Sequence, residues 1–258
     1  MGKRCKTGSI ILAVLALLCL AGALCQKRGK VSPVERLEQQ ERESLREDKT
    51  AMDDEALYEE RVEAYESPVD FEKLQKANSD IYGWLDIPGT NISYPLLQHK
   101  KDDSFYLDHN SDGLSDPAGA LFTESRYNSA DFTDPAVVIY GHHMRSGVLF
   151  GNLQQFYTEE DAFGKYPELL VYLPDGEIHY RVFAAVPYDA WHLLAGVDFE
   201  DDTQYRGFLD SIRAVRSINA RWLDEEAPET GEQLLILSTC LSGNSQKRYL
   251  VFGKRIEE

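Results

Sequence analysis

Residues 234–252 read Leu234-Leu-Ile-Leu-Ser-Thr-Cys240, Leu241-Ser-Gly-Asn-Ser-Gln-Lys247 and Arg248-Tyr-Leu-Val-Phe252. Two apolar runs, rich in branched and aromatic residues, flank a polar segment that contains Gly, which is the pattern of paired strands joined by a turn. The first run delivers a thiol at its C-terminal end and the second opens on a guanidinium. Only seven residues separate Cys240 from Arg248, so strand pairing would bring the two together. The apolar part of the first strand precedes Cys240 and the polar segment follows it, which places the thiol at a rim. Taken singly, Cys240 also fits a buried small hydrophobe and Arg248 a surface charge.

Runs of the same kind recur outward from this pair. Trp84–Ile87, Asn91–Tyr94, Ala136–Tyr140, Leu169–Leu173, Ile178–Val186 and Gln233–Thr239 are short and β-like, with Pro174-Asp175-Gly176 as a hairpin signal between two of them. Many short strands predict a β-barrel or sandwich. Tyr205, Phe208, Leu209, Ile212 and Val215 recur at helical spacing within 202–220, predicting a helix packed on the β core just ahead of the cysteine strand. A shorter helix is expected after Ser67, with Ser67 as N-cap, Pro68 first and Asp70 in the first turn. Its apolar face would be Phe71, Leu74 and Ala77.

The chain has 258 residues, 43% of them hydrophobic, which excludes wholesale disorder, and a net charge of −17, which argues against nucleic acid as a partner. The charge is uneven. Residues 1–30 carry six bases and no acid, whereas 31–70 carry fourteen acids and five bases. From Thr7 to Gln26 no side chain is charged, and a stretch of about 20 apolar residues can just cross a bilayer, predicting a single-pass anchor. A cleaved signal peptide is the competing reading, because Ala21-Gly22-Ala23 has the small-x-small pattern. The expected organisation is a cytoplasmic tail and transmembrane anchor over 1–30, a charged helical stalk over 31–66 and a catalytic domain over 67–258, with that domain outside the cell. Of the four cysteines, Cys5, Cys19 and Cys25 fall in the tail and anchor, which leaves Cys240 alone in the exported part and unable to form an intramolecular disulfide.

A third reactive group stands in Val138-Ile-Tyr-Gly-His-His143, where an apolar strand ends in Gly141 and His142. Glycine there lets the backbone turn sharply and brings the imidazole to the strand end. Thiol, imidazole and guanidinium together suit acyl transfer through a thioester. A nearby cation favours the thiolate, the imidazole exchanges protons near neutrality, and the guanidinium's fixed donors suit an oxyanion.

Gly141-His142, Ile236-Leu-Ser-Thr-Cys240 and Arg248, in that order, resemble the sortases, membrane-anchored cysteine transpeptidases of Gram-positive bacteria whose signature is Thr-Leu-x-Thr-Cys. Only the first signature position differs. Asn78-Ser-Asp-Ile-Tyr-Gly-Trp-Leu-Asp-Ile-Pro-Gly-Thr-Asn-Ile-Ser-Tyr-Pro-Leu-Leu-Gln98 and Tyr140-Gly-His-His143 resemble class B members in particular, and the similarity covers roughly residues 68–255. The resemblance implies a mainly β fold, the sortase-type eight-stranded barrel with N-terminal helices. It also implies that Cys240 is the nucleophile, His142 the general acid/base and Arg248 the stabiliser of substrate and oxyanion. By the same resemblance Ser238 and Thr239 would line the substrate groove, with Asp103 and Leu107 beside them. No cofactor or metal is expected, since the acids form no evident calcium-loop motif.

The implied partners are secreted proteins with a C-terminal sorting signal and an amine of a lipid-linked peptidoglycan precursor, reached from the membrane. A pilin-polymerising enzyme with a Lys acceptor, and a non-catalytic tethered binding module with a buried Cys240, are the alternatives. A papain-like peptidase fits less well, because there the Cys precedes the His and starts a helix.

Overall fold

The structure is a computed structural model and describes residues 32–51 and 65–256. Nine strands form one sheet: β1 (Ile81–Asp86), β2 (Ser93–Leu97), β3 (Leu121–Phe122), β4 (Ala136–Tyr140), β5 (Glu168–Leu173), β6 (Gly176–Asp189), β7 (Arg221–Trp222), β8 (Leu234–Leu241) and β9 (Asn244–Ile256). Their order is β5-β1-β2-β3-β4-β8-β9-β6-β7, and β5 also pairs with β6. Eight strands therefore close into a ring, with β7 appended to β6, and the expected eight-stranded barrel is present. Closure leaves few free edges, as in other small barrels.

Alternation along β8 explains its unbroken apolar run. Leu235 and Leu237 point into the barrel with Val137, Ile139, Tyr249 and Val251. Leu234 and Ile236 point outward with Ala136, Val138, Leu250 and Phe252. That outer face is covered by α6 (Asp202–Arg213), whose Tyr205, Phe208 and Ile212 are buried against it. A strand covered on both faces must be apolar at every position.

Helix α6 starts where Asp201 accepts hydrogen bonds from the Thr203 and Gln204 amides, and it ends at Arg213. The periodic spacing extends to residue 220, but the helix stops at Arg213 and Ile218 beyond it is 89% exposed. A shorter element, α5 (Leu193–Gly196), precedes it in the same β6–β7 connection, and α3 (Leu153–Thr158) and α4 (Ala162–Lys165) lie between β4 and β5.

Two N-terminal helices flank the barrel. The first, α1 (Pro33–Ala51), buries Val34 and Leu45 in a cluster with Val69, Phe71, Leu74, Trp84 and Tyr106. Arg42 ties it to the barrel by donating from Nε to Ser93 O at 2.6 Å and lying 4.1 Å over the Tyr94 ring. The second, α2 (Phe71–Ala77), is capped by Asp70, whose side chain accepts from the Lys73 amide, and not by Ser67. Ser67 Oγ instead accepts from Val69 N at 3.3 Å within the preceding bend, so the cap moves to the next short acceptor along.

The expected single-pass membrane localisation is corrected by these helices. Among the described residues no helix is long and apolar enough to cross a membrane. The longest, α1, carries a charge at ten of its 19 positions. The apolar stretch 7–26 on which that expectation rested lies outside the described residues.

Candidate active site

The outward row of β8 continues from Leu234 and Ile236 to Ser238 and Cys240. The α6 cover ends before the last of these, and Cys240 is partly exposed while Ser238 is 6% exposed. On β9 Arg248 is the direct cross-strand partner of Cys240, and next to it on β6 stands Tyr188. A three-residue bulge sets this register: Leu241 pairs with Asn244 across the turn at Gly243 (φ 77°), and residues 245–247 have no counterpart on β8. Arg248 Nη1 then reaches Cys240 Sγ at 3.7 Å.

His142 arrives from the other side. Strands β4 and β8 run parallel with Tyr140 opposite Ser238, and the Gly141 amide donates to Ser238 O at 3.1 Å, extending the ladder by a residue. His142 thus leaves β4 level with Cys240 on β8. Gly141 serves here by close approach and not by a left-handed turn, since a Cβ would collide with the Leu121 and Phe150 side chains. His142 Nε2 lies 2.7 Å from the Leu107 carbonyl oxygen. The neighbouring His143 turns elsewhere. Its Nδ1 is buried with no partner, and burial lowers its pKa and disfavours the imidazolium.

Of the other expected residues, Leu107 is 44% exposed beside His142, and Asp103 is partly exposed and accepts from Ser125 Oγ at 3.0 Å. Ser238 and Thr239, expected to line the groove, are both buried. Thr239 is 2% exposed, belongs to the inward row, and its hydroxyl has no partner.

A polar cluster that sequence reasoning missed borders the site. His192, the N-cap of α5, accepts the Ala195 amide on Nδ1, so its proton sits on Nε2 and is donated to Glu124 Oε2 at 2.6 Å. Tyr140 also bonds Glu124; burial, then the Glu124 charge, pushes its hydroxyl pKa well up, while Arg248 opposes this. The Tyr127 ring lies 4.5 Å from His192. Glu124 and His192 are 68 residues apart, and no local pattern announces such a pair. Among the described residues no group of three or more His, Cys, Asp or Glu is arranged to hold a metal ion.

Most of the chain has known counterparts. A family model described as "Sortase domain" matches residues 85–256. The chain is 30% identical over 169 residues to a Sortase B of Listeria monocytogenes, the match spanning 65% of each protein, just under two thirds of that relative. It is 29% identical over 189 residues to a Sortase B of Staphylococcus aureus, spanning 72% of this chain and 75% of the relative. A solved Staphylococcus aureus sortase B–substrate complex superposes with a TM-score of 0.62 at 27% identity, over 72% of this chain and 84% of that one.

Proposed function

The chain belongs to the sortase family, and from that premise we propose that it is a class B cysteine transpeptidase with Cys240 as nucleophile, His142 as general acid/base and Arg248 as oxyanion stabiliser. The observation that carries this reading is the cross-strand contact of Arg248 Nη1 with Cys240 Sγ at 3.7 Å, with His142 leaving the neighbouring strand at the same level. The substrate is a secreted protein with a C-terminal sorting signal; the similarity to a sortase B–substrate complex supports this class. The acceptor is an amine of a peptidoglycan precursor. Residues 67–258 form the catalytic unit, Leu107 and Asp103 border the bound peptide, and buried Ser238 and Thr239 support the floor beneath it.

The chemistry conserves protons at each step. The Cys240 thiol gives its proton to His142 and the thiolate attacks the scissile carbonyl, placing negative charge on oxygen where the guanidinium N–H groups stabilise it. The C–N bond breaks as His142 returns the proton to the departing amine, leaving a thioester. The acceptor amine then attacks the thioester carbonyl and loses a proton to His142. The C–S bond breaks, the peptide joins the acceptor, and the thiolate recovers its proton.

The test is to incubate the protein with fluorogenic sorting peptides and an added amine, following cleavage and transfer, and to trap the thioester for mass spectrometry. Cys240→Ala and His142→Ala are each expected to reduce turnover by at least about 10³-fold. Unchanged cleavage in the cysteine variant would overturn the assignment.

A further inference from the structure

The imidazole of His142 meets a backbone carbonyl oxygen, that of Leu107. We propose that Leu107 O is the positioning group of the acid/base: it holds the proton on Nε2 and leaves Nδ1 as the nitrogen that takes and returns protons at the reacting centre. This rests on the catalytic role given to His142 above. The chemistry follows from the acceptor. A carbonyl oxygen has no proton to give, so at 2.7 Å the imidazole nitrogen must be the donor. In neutral His142 the lone pair then lies on Nδ1, and the ring cannot swing without losing its bond. Cys–His enzymes of another fold obtain the same effect from a side-chain amide. Here main chain supplies it.

A positioning group must itself be held, and the turn that carries Leu107 is clamped by four sets of contacts. The 3-10 turn Phe105–Leu107 is entered through Asp102, whose Oδ1 accepts from both the amide and the hydroxyl of Ser104, at 3.0 and 2.7 Å. The Phe105 ring is stacked between two imidazoles, His99 at 4.4 Å and His109 at 3.9 Å. Tyr106, 2% exposed, donates from its hydroxyl to Asp80 at 2.9 Å and accepts from Asn78 at 3.0 Å. The Ala120 amide donates to Tyr106 O at 3.0 Å, bringing Gly119 (φ 63°) so close that a Cβ there would lie 2.9 Å from Leu107 O. Each restraint acts on the turn itself. So many contacts on one three-residue turn are explained by the need to fix one oxygen.

The decisive measurement is ¹⁵N NMR of histidine-labelled full chain at a pH where His142 is neutral, its signals assigned by their loss in His142→Gln. The expected spectrum has a protonated Nε2 and an unprotonated Nδ1. A proton on Nδ1 sinks the proposal. Phe105→Ala, which removes the stack, is expected to give mixed tautomers and to lower kcat by about tenfold to a hundredfold with KM changed less than about twofold, while Phe105→Tyr keeps both readouts near wild type. Unchanged kcat in Phe105→Ala with a mixed tautomer would equally overturn it. The wild-type spectrum does not depend on any variant folding. If His142→Ala keeps full cleavage, the catalytic reading fails; if that variant is inactive but the tautomer is reversed, only the positioning role fails.

Discussion

Arg248 faces Cys240 through an N–H···S contact, and its place on β9 gives it a second neighbour in Tyr188 on β6. A planar guanidinium there can direct two donors at one oxygen, which an ammonium cannot do with the same geometry. Arg248→Lys is therefore expected to lower kcat/KM by about 10²- to 10³-fold while the melting temperature moves by no more than about 2 °C. Near-wild-type turnover in a steady-state peptide assay would take Arg248 out of the site. Cys240 and Arg248 were legible in the sequence because one hairpin joins them. His142 was legible because it ends an apolar run. The oxygen that meets it was not, since a main-chain carbonyl has no residue type to announce it and lies 35 positions upstream.

The β6–β7 connection is the element that stands beside the row Cys240, Arg248 and Tyr188. Tyr188 bonds Ser211 on α6 at 2.7 Å, and its ring lies 6.1 Å from that of Trp191, which is 40% exposed. The connection is pinned to the other side of the site through His192 and Glu124. Loss of that pin frees the wall without touching the thiol, so His192→Ala is expected to raise KM for a sorting peptide by roughly tenfold, the worth of one hydrogen bond to a charged acceptor, at nearly constant kcat. His192→Gln, whose amide can still reach Glu124, should recover most of the affinity. His192→Asn keeps only the helix-capping acceptor and should not. Equal KM values for the Asn and wild-type proteins would show that capping, and not the pin, is what matters. Element by element, the longer strands and α6 were legible from period and length. Strands β3 and β7 were not, because two residues cannot display a period of two, although β3 is a member of the closed ring.

The whole molecule is a barrel with a charged helix docked along it, and charge is what makes that docking pH-dependent. The acidic segment is expected as a charged stalk, yet Glu38 on α1 is 7% exposed, paired with Arg42 at 2.9 Å and bonded to Ser111. Burial raises its pKa above the usual glutamate value; the Ser111 hydrogen bond and Arg42 oppose that shift without cancelling it. In the window between the ordinary value and the raised one the folded state binds more protons than the unfolded state, so this group's contribution to stability falls as pH rises through the raised pKa and grows as pH falls. Glu38→Gln keeps the acceptor for Arg42 and removes the titration. The expected result is that the melting temperature of wild type relative to Glu38→Gln climbs as pH is lowered from 7 toward 5, whatever the other carboxylates do to both proteins. A difference that stays flat or shrinks over that range would mean that Glu38 is ionised at little cost and adds no pH dependence to the docking of α1.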